Sequence, residues 1–307
     1  MKIALIGQSA FGKAVLDAIL KDGKDTVAGV FCPPDKAGEP LDPVKEAAQA
    51  AGIPCLQFKR MRSPDAIAAF KALSPDLCVM AFVTDIVPMD MIGAPRLGTI
   101  QYHPSLLPKH RGPSSINWPI IQGDRETGLT IFWPDAGLDT GPVLLQKRVP
   151  IGPDDTLGTL YFNRLFPMGV EAMAEAIRMV RDGKAPRTAQ DEARATYEGW
   201  CTDEHAKIDW SKPVQQVYNL IRGCNPRPGA FTSLAGAQLR VFDSELQQGE
   251  AGGAPGTVVG ITPTGISVAA AGGRVLVKRV QAAGSKKVAA AEFAASAGLK
   301  PGALLGG

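Results

Sequence analysis

A histidine at the end of a predicted strand is the first residue of this sequence that could do chemistry. His103 closes the apolar run GTIQYH, and open α/β sheets place their ligand sites at the carboxyl ends of strands. Side chains alternate along a strand, so Gln101 and His103 point to one face and Tyr102 to the other. Pro104 disfavours helical backbone at His103 and keeps it extended. By itself, a histidine in this position is more often structural than catalytic.

An aspartate between two glycines is the second such residue. Gly137, Leu138, Asp139, Thr140 and Gly141 follow another predicted strand, and such a loop can bring backbone and carboxylate close to a ligand. An Asx turn would explain the same residues without a function. Taken separately, neither segment identifies a catalytic site.

A glycine motif near the start of the chain is weaker. The stretch GQSAFGKA follows a strand, opens a helix and fits the phosphate-binding pattern GxxxxGK. Ala14, however, replaces the hydroxyl residue that would hold Mg²⁺, and Ser9 replaces the middle glycine of a dinucleotide fingerprint. We therefore expect no nucleotide here, only a tight strand-to-helix turn permitted by Gly7 and Gly12.

Cysteines and histidines give no sign of a metal or of disulfides. The five cysteines are odd in number, scattered and without CxxC spacing, which argues against a disulfide framework and against zinc. The three histidines match no ligand spacing. No metal cofactor is expected.

The elements that must position these residues can be predicted from the alternation of apolar and helical patterns. Strand-like runs such as KIALI, TVAGVF and DLCVMAF alternate with helical patterns in the first half, which predicts an α/β fold with a mostly parallel sheet. A long helix is predicted over about 156–182, ended by Gly183 and Pro186. From about Ile208, short strands between glycine and proline turns predict a small β-barrel or sandwich.

Composition fits a globular protein of about two domains, with 307 residues, 45% hydrophobic and 21% charged. The opening run stops at Gly7 and has neither a basic leader nor a cleavage pattern, so a buried strand in a cytoplasmic protein, with no membrane partner, is expected. From Ala206 onward, eleven Lys or Arg face five Asp or Glu, a net charge of +6. A basic β domain suits an RNA partner, although small basic domains are common.

Taken together, HPSLLPKHRG followed by GLDTG resembles the formyltetrahydrofolate-dependent formyltransferase and hydrolase family. The resemblance covers nearly the whole chain and includes KIALIGQSAFG, SSINWPIIQGD, YEGWCTDEHAKIDWSKP and IRGCNPRPGAFT. It implies a Rossmann-like, folate-binding catalytic domain over 1–203 and a smaller OB-like β-barrel over 204–307. It also implies that the Rossmann-like half holds no nucleotide.

The resemblance implies that His103 and Asp139 are catalytic. Formyl transfer passes through a tetrahedral intermediate, so the site must stabilise an oxyanion and manage protons on the nucleophile and on the folate N10. We expect His103 to polarise the formyl group and Asp139 to orient His103 and relay the proton. Gln101 stands where the transferases typically have asparagine, so the same amide donor sits on a stem one methylene longer.

The folate, as the formyl donor 10-formyltetrahydrofolate, is expected to contact the loop after His103 and a pterin pocket. By the resemblance, the loop contacts are Ser105, Leu106, Leu107 and Pro108, together with Leu138 beside the aspartate. The pocket residues are Phe82, Ile86 and Pro88, which could equally belong to the core.

The acceptor of the formyl group is left open between water and methionyl-tRNA. The forms IGQSAFG, YHPSLLPKHRG and TGLTIFWPDAGLDTG look more like the hydrolase portion of formyltetrahydrofolate dehydrogenase than the tRNA enzymes. The loop 33–42 also lacks the basic cluster that the transferases insert there to grip tRNA. The basic Lys278, Arg279, Lys286 and Lys287 favour tRNA instead, unless they form only a solvated face.

Hydrolysis of 10-formyltetrahydrofolate to tetrahydrofolate and formate is therefore the function that we expect. Methionyl-tRNA formyltransferase is the alternative, and a sugar-nucleotide formyltransferase is less well supported. A folate-binding module without turnover is a further alternative, if Gln101 disables catalysis. The dehydrogenase resemblance stops with this region, so NAD(P) chemistry is not expected. A DNA partner is not expected either.

Overall fold

The computed structural model of the protein describes residues 1–306, which form two compact units. Within these residues, the first unit comprises 1–112, 128–149 and 164–197, and the second comprises 113–127, 150–163 and 198–306. The chain thus contributes several segments to each unit. The division at 203/204 into a catalytic and a carboxy-terminal domain stays a prediction.

The strands fall into one sheet of seven and two sheets of four. In chain order they are β1 (Lys2–Gly7), β2 (Thr26–Cys32), β3 (Cys55–Gln57), β4 (Leu77–Ala81), β5 (Thr99–His103), β6 (Glu126–Phe132), β7 (Val143–Pro150), β8 (Ala230–Leu234), β9 (Ala237–Val241), β10 (Ser244–Gln248), β11 (Val258–Thr262), β12 (Gly265–Ala270), β13 (Gly273–Val277), β14 (Arg279–Ala282) and β15 (Val288–Ala289).

The helices lie mainly between the strands of the seven-stranded sheet. They are α1 (Ser9–Asp22), α2 (Pro43–Ala50), α3 (Pro64–Ala72), α4 (Met89–Ile92), α5 (Asn117–Gln122), α6 (Leu157–Leu160), α7 (Phe166–Arg181), α8 (Val214–Gly223) and α9 (Ala290–Ser296).

The seven-stranded sheet has the order β3-β2-β1-β4-β5-β6-β7. The five strands from β3 to β5 pair in parallel, and β6 is antiparallel to β5. The sheet is therefore mostly parallel and Rossmann-like, as predicted. The strand order reverses between β1 and β4, and such a switch point opens a crevice at the carboxyl ends of the strands.

Both faces of this sheet are covered, which explains the continuous apolar runs of its strands. In β1, Ile3 and Leu5 join the hydrophobic core on one face. The intervening Ala4 and Ile6 join a second core on the other face. All four side chains are 3% exposed or less. The alternation fixes which face each residue of the neighbouring strands presents.

Close approach of backbones is the reason for the glycines at the first strand-to-helix turn. A Cβ built on Gly7 would lie 2.6 Å from the carbonyl oxygen of Ala81 on the adjacent β4, and one on Gly12 would lie 3.2 Å from the carbonyl carbon of Gly7. The turn predicted from these glycines is confirmed. Its cause is contact between backbones, since neither residue has a positive φ.

The long helix predicted over 156–182 is present, with one interruption. Five residues of π-helix, Tyr161–Leu165, separate α6 from α7. Pro167 lies in the first turn of α7 and has no N–H to donate to the preceding turn, so the local hydrogen-bonding pattern widens there. Gly183, with φ +67°, follows the end of α7.

The second unit is built on two antiparallel four-stranded sheets, β10-β13-β12-β11 and β15-β14-β9-β8. Its hydrophobic core includes Trp210, Val217, Ile221, Val268 and Val275. Trp210 and Val217 come from the loop before α8 and from α8 itself, and the valines of the strands pack with them. A smaller antiparallel β domain is confirmed, while its OB-like character stays a prediction.

Within residues 1–306, no helix is both long and apolar enough to cross a membrane. The same part of the chain contains no group of three or more His, Cys, Asp or Glu side chains arranged to hold a metal ion. All five cysteines are free thiols.

We predict that Gly7→Ala lowers the free energy of unfolding by about 1–3 kcal/mol, since the added methyl group would force β1 and β4 apart. Urea denaturation measures the change. Gly199→Ala is the matched control, because Gly199 has open space around its Cβ position and no positive φ. Equal stability of the two variants would contradict the close-approach explanation.

Candidate active site

His103 occupies the carboxyl end of β5, on the face opposite the larger core. Its strand neighbours Ile100 and Tyr102 are buried in that core, and alternation sends Gln101 and His103 to the other side of the sheet. His103 is buried, with 6% exposure. The prediction that His103 lies at the end of a strand is confirmed.

One hydrogen bond fixes the tautomer of His103. Nε2 lies 2.8 Å from the backbone carbonyl oxygen of His110. A carbonyl oxygen only accepts, so Nε2 carries a proton and donates it. Nδ1 is then the nitrogen that bears the lone pair in the neutral ring, and it is the nitrogen left to do chemistry.

Asp139 faces that nitrogen from the loop between β6 and β7. Its Oδ2 lies 3.7 Å from His103 Nδ1, longer than a hydrogen bond. The same oxygen accepts a hydrogen bond from the backbone N–H of Gly112 at 2.8 Å. Asp139 is buried, with φ +57°, a conformation that strains a non-glycine residue and is found at functional sites. The structure thus brings the two predicted catalytic residues together.

The loop after His103 is braced by hydrogen bonds within the same unit. Thr130 Oγ1 donates to the carbonyl oxygen of Ser105 at 2.7 Å and accepts from the N–H of Leu107 at 3.1 Å. Gln146 Nε2 donates to the carbonyl oxygen of Leu107 at 2.7 Å. Ser105 Oγ donates to the carbonyl oxygen of Lys109 at 2.7 Å. A rigid loop of this kind holds His110, and through it His103.

The predicted folate-contacting residues differ in exposure. Ser105 and Leu107 are buried, while Leu106 and Pro108 are half-buried. The Ser105 hydroxyl and most backbone groups of this stretch are already bonded within the protein. The half-buried Leu106 and Pro108 are therefore the parts of it that a ligand can meet.

Three of the remaining predicted contacts are exposed apolar side chains. Phe82, Ile86 and Leu138 are 44%, 72% and 54% exposed. Phe82 and Ile86 are therefore not core residues, the alternative that the sequence left open for them, whereas Pro88 is half-buried. Phe82 follows β4 with φ +61°, so it stands at the same carboxyl edge of the sheet as His103.

Gln101 is half-buried and lies two residues before His103, on the same face of β5. Its backbone pairs with Met80 of β4 and Phe132 of β6. Its side-chain amide makes no hydrogen bond to any residue in the range 1–306 that the structure describes. The amide N–H that the resemblance implies as a donor to the oxyanion is thus not used by another residue of this range.

Several residues that hold the site were not singled out from the sequence. Arg111 is buried and pairs with Glu192 through both carboxylate oxygens, at 2.6 and 2.9 Å. The pKa of Arg111 is raised, chiefly by its hydrogen bonds to Glu192 and to a smaller extent by the charge of Asp139. Arg111 belongs to the HPSLLPKHRG motif, a signal that could have been used. Gln190, which also contacts it, carries no such signal.

A carboxylate of the protein itself lies at the helix start that follows the glycine motif. The N–H of Ser9, at the start of α1, donates to both carboxylate oxygens of Asp42, at 2.8 and 3.0 Å. Asp42 also caps α2 by accepting from the N–H of Val44 at 2.9 Å. A helix N-terminus attracts an anion, and here that anion is a side chain.

A mostly parallel α/β sheet with a buried imidazole and a buried carboxylate at its carboxyl edge fits an enzyme that moves protons at a bound ligand. Sequence comparison identifies the family. The model of the formyl transferase family matches residues 1–177, and the model of the formyl transferase carboxy-terminal domain matches residues 201–298. The chain belongs to the formyl transferase family, and it is an enzyme of that family.

Two curated relatives illustrate the range of the family. The cytosolic 10-formyltetrahydrofolate dehydrogenase of Mus musculus is 44% identical over 95% of this chain and 34% of its own length. The chain therefore spans about a third of that relative. The methionyl-tRNA formyltransferase of Trichlorobacter lovleyi is 39% identical over 99% of this chain and 96% of its own length.

A solved structure shares the fold. HypX from Aquifex aeolicus in complex with tetrahydrofolic acid superposes with a TM-score of 0.69 at 20% identity, over 95% of this chain and 46% of that one. At this level of identity the likeness concerns the fold.

Proposed function

We propose that the protein hydrolyses 10-formyltetrahydrofolate to tetrahydrofolate and formate, as an enzyme of one-carbon metabolism in the cytoplasm. The observation that carries the proposal is the geometry of His103, whose Nε2 is committed to the His110 carbonyl while Nδ1 faces Asp139. That arrangement leaves one imidazole nitrogen and one carboxylate available to the same reacting centre.

The reaction needs proton transfer and oxyanion stabilisation. Water adds to the formyl carbon, the bond from that carbon to N10 breaks, N10 takes one proton, and formate leaves with release of the other. In this proposal His103 polarises the formyl oxygen as the imidazolium, in which Nδ1 also carries a proton to donate. Asp139 orients the imidazole and relays the proton from water to N10. Gln101 donates its amide N–H to the oxyanion.

The folate is proposed to bind at the carboxyl edge of the sheet. Of the stretch formed by Ser105, Leu106, Leu107 and Pro108, the half-buried Leu106 and Pro108 are proposed to contact the folate directly, since Ser105 and Leu107 are buried. Phe82, Ile86, Pro88 and Leu138 offer an apolar surface to the pterin ring. Apolar side chains of this kind suit the faces of a flat heteroaromatic ligand.

Water is favoured as acceptor by two observations. The dehydrogenase relative is more similar in sequence than the tRNA formyltransferase, at 44% against 39% identity. The exposed loop 33–42 carries three acidic residues and one basic residue, a poor surface for the phosphates of tRNA.

Methionyl-tRNA formyltransferase remains the second candidate. The relative of that name matches 99% of this chain and is itself 96% covered, and the residues from Ala206 onward are basic. We include in the proposal the division into a catalytic domain over 1–203 and an OB-like domain over 204–307, which the separate family matches support.

We predict steady formate release when the full chain is incubated with 10-formyltetrahydrofolate alone. Tetrahydrofolate and formate would be quantified with and without methionyl-tRNA, with His103→Ala as the control for uncatalysed hydrolysis. Turnover only in the presence of tRNA, with formyl-methionyl-tRNA as product, would replace hydrolysis by tRNA formylation. Folate binding without either product would identify a binding module.

We predict that His103→Ala and Asp139→Asn each lower kcat by about 10²–10⁴-fold, the usual contribution of a positioned acid or base. The double variant should be little slower than the slower single variant, because the two groups act as a unit. His205→Ala, at an exposed histidine of the second unit, is the control. Near-normal turnover by both single variants would refute the catalytic assignment.

We predict that Gln101→Leu lowers kcat by about 10²-fold with little change in KM, as expected when one oxyanion donor is lost. Gln101→Asn keeps an amide donor on a shorter stem and should retain more of the rate than Gln101→Leu. Steady-state kinetics on the three proteins test this order. If Gln101→Leu matches the unmodified enzyme, Gln101 is not an oxyanion donor.

A further inference from the structure

A single side chain from a distant segment clamps the backbone on both sides of Thr140. Gln190 Nε2 donates to the carbonyl oxygen of Asp139 at 2.8 Å and to that of Gly141 at 2.7 Å. An amide NH₂ group has two N–H bonds, and both are used here. Gln190 lies 51 and 49 residues beyond its two acceptors.

The other end of the same amide is also committed. Gln190 Oε1 accepts from Nη2 of Arg111 at 2.8 Å and from Nε at 3.2 Å. Arg111 in turn pairs with Glu192. A flipped amide would place N–H groups against the guanidinium and an oxygen against two carbonyl oxygens, so the network admits one orientation. The amide is therefore a fixed bridge from Arg111 to the aspartate loop.

The aspartate loop needs such support. Asp139 has φ +57°, and strained conformations of this kind persist where the surroundings impose them. Its carboxylate has one backbone donor, the Gly112 N–H. The loop begins and ends with glycine, and Gly141 packs so closely that a Cβ there would meet the Trp133 carbonyl oxygen at 1.8 Å. Small shifts of this backbone would move the carboxylate relative to His103.

The residues around Gln190 hold the histidine loop as well. Thr196 accepts from the N–H of Arg111 through its carbonyl oxygen at 3.0 Å, and its own N–H donates to the carbonyl oxygen of Pro108 at 3.1 Å. Thr196 Oγ1 accepts from the N–H of His110 at 2.8 Å. The stretch of residues 187–197 therefore contacts the loops that carry both members of the pair.

We propose that Gln190 is a positioning residue for catalysis, which holds the carboxylate of Asp139 in register with Nδ1 of His103. The proposal rests on the proposed function, in which Asp139 is catalytic. Gln190 touches no reacting atom, and in this proposal its effect on turnover passes through Asp139. Its removal should therefore affect turnover and leave folate binding largely unchanged.

The first test compares Gln190→Ala, Gln190→Glu and Arg194→Ala. Arg194 is an exposed residue of the same segment and serves as the matched control. Gln190→Glu keeps an acceptor for Arg111 but loses both N–H donors. We expect both Gln190 variants to lower kcat about 10–100-fold with KM for 10-formyltetrahydrofolate changed less than about threefold, since small misplacements can cost that much. An unchanged kcat in Gln190→Glu would overturn the proposal.

The second test asks whether Gln190 acts only through Asp139. Adding Gln190→Ala to Asp139→Asn should cause no further loss of kcat, because the group being positioned is already disabled. A general structural effect would instead multiply the two losses. Multiplied losses would overturn the proposal, and thermal unfolding of all variants would show the accompanying change in stability.

A third measurement does not depend on turnover. The ¹⁵N chemical shift of His103 Nδ1, recorded at one pH, should move in Gln190→Ala towards its value in Asp139→Asn, and should stay unchanged in Arg194→Ala. An unmoved shift in Gln190→Ala would overturn the positioning role. If the unmodified enzyme neither hydrolyses nor transfers the formyl group, the proposed function fails, and this shift still decides the inference.

Discussion

The hydrogen bond from His103 Nε2 to the His110 carbonyl oxygen is the interaction on which the rest of the site depends. It joins the end of β5 to the loop that follows and decides which imidazole nitrogen is free. The bracing by Thr130, Gln146 and Thr196 holds that loop and therefore the acceptor of this bond. Without the hydrogen bond to His110, the imidazole ring of His103 could rotate, and the distance from Nδ1 to Asp139 would no longer be fixed.

Much of the fold could be predicted because the strands of the large sheet are buried on both faces. Their runs are nearly uninterrupted and stand out from the helices between them. The half-buried β3, three residues long, has too little pattern to be recognised. The sequence does not predict α8 either, although Val214, Val217 and Ile221 recur at helical spacing. The buried polar Asn219 and Arg222 within it obscure that pattern.

At the candidate site, the motifs around His103 and Asp139 are short continuous stretches that can be recognised in the sequence without the structure. Gln190 could not be found in this way, because an amide becomes a clamp only where folding has placed two carbonyl oxygens before it. The exposure of Phe82 and Ile86 is likewise a tertiary fact, since an apolar side chain after a strand can belong to a core or to a surface. The reactive residues can therefore be predicted from the sequence, whereas the residues that hold them in place cannot.

The carboxylate of Asp42 lies at the start of α1, a position where a bound phosphate could otherwise lie. In nucleotide-binding sheets of this kind, a phosphate of the ligand accepts hydrogen bonds from the first N–H groups of the helix that begins at the switch point. Here the protein carries its own substitute, and that substitute also begins α2. The start of α1 therefore needs no bound anion, and the crevice at the carboxyl edge of the sheet is left to a ligand of another kind.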